Sequence, residues 1–149
     1  MADYFTNFSV IMSLPTEEAV NYALGLTQQA ARIQQGDEIP ADFPSSLRDV
    51  IEDWQFETDR NDSSQGCGIW LHATNGGVDA ACALIQHLLQ RYAPDDVVGM
   101  EWSNDCSKPR LDAFGGGAAI ITAKTIKSLS TGQWLHGRMA RIAANKARR

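Results

Sequence analysis

The hydrophobic period changes several times along this chain, and the order of these changes is the strongest constraint on its fold. Apolar side chains occupy every second position over residues 7–14, which predicts a strand with one buried face. Over residues 77–92 they recur every three or four positions, which predicts an amphipathic helix. Read in this way, the chain runs strand, helix, strand, strand, helix, strand, and then adds a further strand and helix.

The predicted elements fit one known arrangement of strands and helices. The strands are predicted at residues 7–14, 54–59, 68–73, 97–102 and 118–123, and the helices at residues 16–35, 45–53, 77–92 and from 131 onward. Turn residues at 61–66 predict that the second and third strands form an antiparallel hairpin. We therefore expect an α+β fold, a ferredoxin-like βαββαβ sandwich with an extra C-terminal strand and helix. Residues 1–130 would form a single domain, followed by a basic helix or tail at 131–149.

Composition indicates a soluble protein of ordinary class. The 149 residues are 44% hydrophobic and contain no 18-residue apolar run, and the first residues lack the pattern of a secretory signal. A cytoplasmic location is the expectation. Three cysteines with no C-x-x-C pair are expected to be reduced thiols, and Cys82 falls on the apolar stripe of a predicted helix, where it would pack as a small hydrophobe.

The charge is distributed unevenly around Asp112. All 18 acidic residues but only six of the 13 basic ones lie at or before this position, so residues 1–112 carry a net charge of −12 and residues 113–149 carry +7. An acidic body repels nucleic acid and attracts basic surfaces, whereas a basic tail does the opposite. The alternative is that the tail folds back on its own acidic body.

The densest acidic run lies in and beside the second predicted strand. Its candidate partner-binding residues are Asp49, Glu52, Asp53, Glu57 and Asp59. Such a run is either a solvated face or a binding surface for a protein with a basic surface. Direct binding of nucleic acid is expected only through the basic tail.

A second candidate is the polar segment 103–110, which follows the fourth predicted strand. Cys106 is flanked there by Asp105 and by cations that favour a thiolate, and His72 is the histidine placed to meet it across the sheet. The further loop candidates are Asn104, Lys108 and Arg110. The alternative is a turn in which the polar side chains bond to their own backbone.

Other signals are weaker. The histidines and acids show no metal-ligand spacing, so no metal and no cofactor is expected. The glycines at 115–117 do not match a phosphate-binding loop and lead into a strand, which favours a bulge or a close backbone crossing. The four tryptophans are expected in the core, although two of them on an open sheet face would serve to stack bases or to anchor a protein interface.

Three segments near the C-terminus carry a resemblance. The stretches EWSNDCSKPR, DAFGGGAAIIT and STGQWL, in this order, resemble a family of small proteins from bacteria, phages and plasmids to which no activity is assigned. The resemblance implies a mobile-element protein, a class in which acidic inhibitors of host defence or nucleic-acid enzymes are common. The sequence therefore favours a non-enzymatic binding protein. The alternative is a small cysteine-dependent enzyme or ligand-binding domain centred on residues 103–110.

Overall fold

One six-stranded antiparallel sheet, three α-helices and a 3₁₀ helix make up the fold. A computed structural model describes all residues from 1 to 149. The elements in chain order are β1 (Tyr4–Leu14), α1 (Glu17–Gln34), the 3₁₀ helix (Ser45–Val50), β2 (Glu57–Arg60), β3 (Cys67–Ala73), α2 (Val78–Tyr92), β4 (Val98–Cys106), β5 (Gly115–Ile121), β6 (Ile126–Ser130) and α3 (Thr131–Ala147). The predicted α+β class is confirmed.

The strands lie in the order β2-β3-β1-β4-β5-β6, and every neighbouring pair is antiparallel. β1 is therefore central, with β3 on one side and β4 on the other. On β3, His72 lies opposite Ser9 and Trp70 lies opposite Ile11. On β4, Cys106 lies opposite Tyr4 near the other end of β1.

Helices α1 and α2 cover one face of the sheet, which we call the covered face. Alternation along the strands directs apolar side chains such as Met12, Ile69 and Leu71 to this face, where they are buried. α2 contributes seven buried residues, and α1 contributes five. No polar or charged residue is fully buried. The opposite face, the open face, has no helix on it and exposes Ile11 and Trp70.

The two packed helices begin differently. As predicted, Thr16 caps α1, and its side-chain oxygen accepts a hydrogen bond from the backbone N–H of Ala19. α2 begins after Gly77 without a cap from its own segment. Instead, the Asp53 carboxylate accepts a hydrogen bond from the backbone N–H of Ala80 at 2.9 Å. A residue distant in sequence therefore caps α2.

The second predicted strand starts too early. Trp54 and Phe56 do alternate with exposed residues, but they lie before β2 in a buried irregular segment. Their rings stack with centroids 5.3 Å apart. The segment passes so close to Gly77 that a Cβ atom there would lie 2.9 Å from the backbone oxygen of Asp53. Burial on one side produced the strand-like period without any pairing to β3.

In the C-terminal half, two predicted strands have wrong boundaries and a third strand was not predicted. β4 continues to Cys106, because its last residues pair with the start of β1, so half of the predicted loop 103–110 is strand. β5 begins at Gly115 and includes the triple glycine. β6 was not predicted, because Ile126 and Leu129 lie on opposite faces among polar residues and give no alternation. The extension beyond β4 therefore has two strands and a helix.

α3 begins at Thr131, as predicted, and contacts β5 and β6, but it does not pack on the core. Ser130 caps it by accepting a hydrogen bond from the N–H of Gln133, and none of its residues is buried. None of its basic side chains forms an ion pair, so the helix does not fold back on the acidic body. Its apolar residues Leu135, Met139 and Ile142 are exposed. No helix of the fold has the length and hydropathy of a membrane-spanning segment.

Candidate functional site

The hairpin of β2 and β3 brings three ligand-type side chains together on the open face. Glu57 lies directly opposite His72, and Asp59 is two residues further along β2, on the same face as Glu57. The ligand atoms of the three side chains lie within 4.8 Å of one another. We call this group the Glu57–Asp59–His72 cluster.

Both carboxylates of the cluster approach the same imidazole nitrogen. The Nε2 atom of His72 lies 2.7 Å from Asp59 Oδ2 and 3.7 Å from Glu57 Oε2. Because an ionised carboxylate only accepts hydrogen bonds, Nε2–H is the donor to Asp59. A neutral imidazole has no second proton on Nε2 to offer to Glu57. The two negative charges therefore share one donor.

Trp70 supports the histidine from the side. Its indole stacks on the imidazole of His72 with ring centroids 3.9 Å apart and an interplanar angle of 26°. The indole N–H donates a hydrogen bond to the Ser9 hydroxyl at 2.8 Å, which fixes the indole on β1. Even so, Trp70 remains 39% exposed. The stack orients His72 and leaves an aromatic surface open to a partner.

Two shallow cavities join the cluster to the rest of the acidic run. A cavity of about 300 Å³ is lined by Gln55, Glu57 and His72, together with residues that follow β3. A second cavity, of about 450 Å³, is lined by Gln55, Glu52 and Arg48, among others. Gln55 lines both cavities, so it lies beside the cavity of Glu57 and beside the cavity of Glu52.

The predicted partner-binding residues divide into two groups. Asp49, Glu52, Glu57 and Asp59 have exposed side chains, and no lysine or arginine pairs with any of them. We call these four residues the acidic surface. Asp53 differs, because its carboxylate caps α2. The capping of α2 therefore explains why an acid occupies this position.

The predicted catalytic pair is not brought together. His72 is on the open face, whereas Cys106 is on the same side of β4 as Met100, which is buried on the covered face. The residues of β1 that face them, Ser9 and Tyr4, are five positions apart, or roughly 16 Å along the strand. Neither side chain reaches the other.

The remaining residues of the 103–110 segment tie β4 to the start of the chain. Asn104 accepts a hydrogen bond from the Thr6 hydroxyl at 2.9 Å, and Asp105 accepts one from the Asn7 amide at 3.3 Å. Lys108 and Arg110 are exposed and form no ion pair. The polar side chains at the end of β4 thus serve the β1–β4 junction.

Two titratable groups on the covered side are held in their neutral forms. Burial raises the pKa of the Cys82 thiol to about 11, with the nearby Asp79 and Asp53 carboxylates adding to the effect. Cys82 is therefore the packed, unreactive thiol that the sequence predicts. Burial also lowers the pKa of His87, as does Arg91 to a smaller extent. His87 is half-buried, and its Nε2 lies 2.7 Å from the Tyr22 hydroxyl.

The glycine segment has the structural role that its sequence favours. A Cβ atom on Gly117 would lie 2.3 Å from Cζ2 of Trp102 and 2.4 Å from the backbone oxygen of Leu129. Glycine lets the Trp102 ring lie against β5 on the covered face. β5 pairs regularly with β4 and β6 at Gly117, so in place of a bulge or a backbone crossing the structure has a close approach of the Trp102 side chain.

The sequence interpretation named all three members of the cluster but did not join them. Glu57 and Asp59 belonged to the acidic run and His72 to the proposed cysteine site, while no metal site was expected. The available signal was an E-x-D pattern on one strand of a predicted hairpin and a histidine on the other. Joining them required the β2–β3 register, which the six-residue turn left open.

Comparison with known proteins adds little to this geometry. Neither a protein-family model nor a curated protein matches the chain. A solved structure described as LarC2, the C-terminal domain of a cyclometallase involved in the synthesis of the NPN cofactor of lactate racemase, in its apo form, matches at 9% identity with a TM-score of 0.30. The match covers 87% of this chain and 80% of that one. At this TM-score the likeness supports no conclusion about fold or function.

Proposed function

We propose that this protein is a non-enzymatic binding protein whose acidic surface contacts a basic surface on a protein partner. The observation that carries the proposal is a set of four exposed carboxylates that no lysine or arginine pairs with, two of which, Glu52 and Glu57, line cavities that share Gln55. No lysine or arginine pairs with its four carboxylates, so their field is available to another molecule.

Trp70 gives this surface an anchor. Exposed aromatic side chains beside charged residues are common at the energetic centres of protein interfaces. Trp70 is held by His72 and Ser9 and would lose little conformational freedom when a partner covers it. The arrangement combines electrostatic attraction at long range with an apolar contact at short range.

A more specific proposal concerns origin, architecture and partner class. We propose that the unit from β1 to β4 is ferredoxin-like, which the strand order β2-β3-β1-β4 supports. The resemblance of residues 101–110, 112–122 and 130–135 to phage and plasmid proteins supports an inhibitor of a host defence or nucleic-acid-handling protein. Such a partner carries the basic surface that binds nucleic acid, which an acidic surface would occupy.

The test compares two variants with the same change in charge. The first replaces the acidic surface with Asp49→Asn, Glu52→Gln, Glu57→Gln and Asp59→Asn. The matched control is Asp37→Asn, Glu38→Gln, Asp95→Asn and Asp96→Asn, four exposed acids elsewhere. Asp53 is left unchanged in both, because it caps α2.

Immobilised wild type, surface variant and control are used to capture proteins from a bacterial lysate at low and high salt, followed by mass spectrometry. We expect the wild type and the control to retain basic proteins at low salt. The surface variant should not retain them, and high salt should release them from the wild type and the control. Equal capture by all three proteins, or capture that salt does not weaken, would contradict the proposal.

A further inference from the structure

The Glu57–Asp59–His72 cluster has an excess of negative charge that the fold does not balance. Two carboxylates face one imidazole nitrogen, and no lysine or arginine forms an ion pair with either. Two negative carboxylates as close as those of Glu57 and Asp59 repel each other unless a cation lies between them. The point between Glu57 Oε2, Asp59 Oδ2 and His72 Nε2 is therefore suited to a positive ion.

The donor set indicates which class of cation fits. Mixed imidazole and carboxylate ligands are typical of zinc and of other first-row transition metals, whereas Ca²⁺ and Mg²⁺ prefer oxygen ligands alone. Ligand atoms around tetrahedral zinc lie ~3.3 Å apart, as follows from zinc-ligand distances near 2.0 Å. The present 2.7 and 3.7 Å separations from Nε2 bracket this value.

The surroundings also fit a site with an open coordination position. Glu57 has an 80% exposed side chain, so its carboxylate is free to turn toward Nε2 without disturbing the core. Trp70, which is fixed by its hydrogen bond to Ser9, stacks on the imidazole from the side. The cavity of about 300 Å³ beside Glu57 and His72 leaves room for water at the remaining positions.

We propose that Glu57, Asp59 and His72 bind a first-row transition-metal dication of the zinc type, with His72 Nε2 and one oxygen from each carboxylate as ligands. The metal binds the Nε2 lone pair, and the ring proton is held on Nδ1 instead, so the imidazole stays neutral. This site goes beyond the proposed partner-binding function, although it shares Glu57 and Asp59 with the acidic surface.

The test titrates the full chain with Zn²⁺ by calorimetry and with Co²⁺ by tryptophan fluorescence. We expect one site per chain, and we expect Co²⁺ to quench a component of the emission that is absent from Trp70→Phe, because Trp70 is the tryptophan that stacks on His72. The variants His72→Gln and Asp59→Asn should weaken binding by about tenfold or more. The controls His136→Gln and Asp95→Asn, which remove the same groups at exposed positions elsewhere, should bind as wild type.

Circular dichroism and thermal unfolding of His72→Gln check that the variant is folded, and Asp59→Asn gives a second route if it is not. Unchanged Zn²⁺ affinity in both variants would overturn the proposal, as would equal affinity for Ca²⁺ or no binding at millimolar Zn²⁺. His72→Gln keeps all four carboxylates of the acidic surface. Failure of the metal site therefore leaves protein capture intact, whereas failure of the partner-binding proposal leaves Zn²⁺ binding intact.

Discussion

The two faces of the sheet use the same strands for different purposes. On β3, Ile69 and Leu71 point to the covered face and are completely buried. Between and after them, Trp70 and His72 point to the open face and remain accessible. Adjacent residues of one strand thus belong to the core and to the candidate site.

The core requires the apolar side chains of the covered face and places no such requirement on the open face. Burial of apolar area on the covered face supplies the main stabilisation, and no polar group there is buried alone except the Trp54 indole N–H. The open face contributes little to the core, so its side chains were free to be acidic or aromatic. Substitutions should therefore separate stability from binding according to the face they touch.

The largest effect is expected on the covered face. Leu71→Ala removes a fully buried side chain and should lower the free energy of unfolding by about 2–5 kcal/mol. Urea unfolding followed by circular dichroism measures the change. A loss below 1 kcal/mol would show that the covered face is not the main source of stability.

The two faces are compared most closely by a pair of glycine substitutions. Gly117→Ala places a methyl group against the Trp102 ring and the Leu129 backbone and should cost about 1–3 kcal/mol. Gly99→Ala on the open face meets no atom within 4 Å and should leave stability unchanged or slightly raised. The same urea experiment tests both variants. Equal losses of unfolding free energy would show that the two faces tolerate an added methyl group alike.

A smaller effect distinguishes two acids of the same run. Asp53→Ala removes the cap of α2 and should cost about 1 kcal/mol. Asp49→Ala removes an exposed carboxylate without a hydrogen-bond partner, so its effect should stay within about 0.5 kcal/mol. If both variants lose equal stability, the capping of α2 by Asp53 does not stabilise the protein.

The smallest effect is expected in α3, the element that belongs to neither face. Leu135→Ala should change the free energy of unfolding by less than about 0.5 kcal/mol, since no residue of this helix is buried. Hydrogen exchange should be fast along α3 and slow along α2. Strong protection of α3 would indicate that it packs on a surface, for example on a second copy.

Sequence periodicity was sufficient to predict the elements that bury one face along their whole length. β1, α1 and α2 were predicted within three residues at each end, because each carries a long apolar stripe. β6 was missed because an edge strand with Lys127 and Ser128 between its apolar residues has no stripe. Trp54 and Phe56 misled the prediction because a buried irregular segment also alternates.

The sequence analysis named the three residues of the candidate site but did not predict that they lie together. The acidic run drew attention to Glu57 and Asp59, whereas the sequence analysis paired His72 with Cys106. Only the register of β3 against β1 and β2 shows that His72 faces Asp59 and that Cys106 points to the other side of the sheet. A register shift by one residue would reverse these faces, and local sequence does not determine it.

We propose that the acidic surface serves binding while the covered face serves stability. Urea unfolding and low-salt capture, measured on the same two proteins, separate the two roles: one protein is the four-residue acidic-surface variant and the other is Leu71→Ala. We predict that the surface variant keeps its free energy of unfolding within about 1 kcal/mol and loses its basic partners, and that folded Leu71→Ala loses stability and keeps them. A surface variant that still captures the same basic proteins would show that the acidic surface does not bind them.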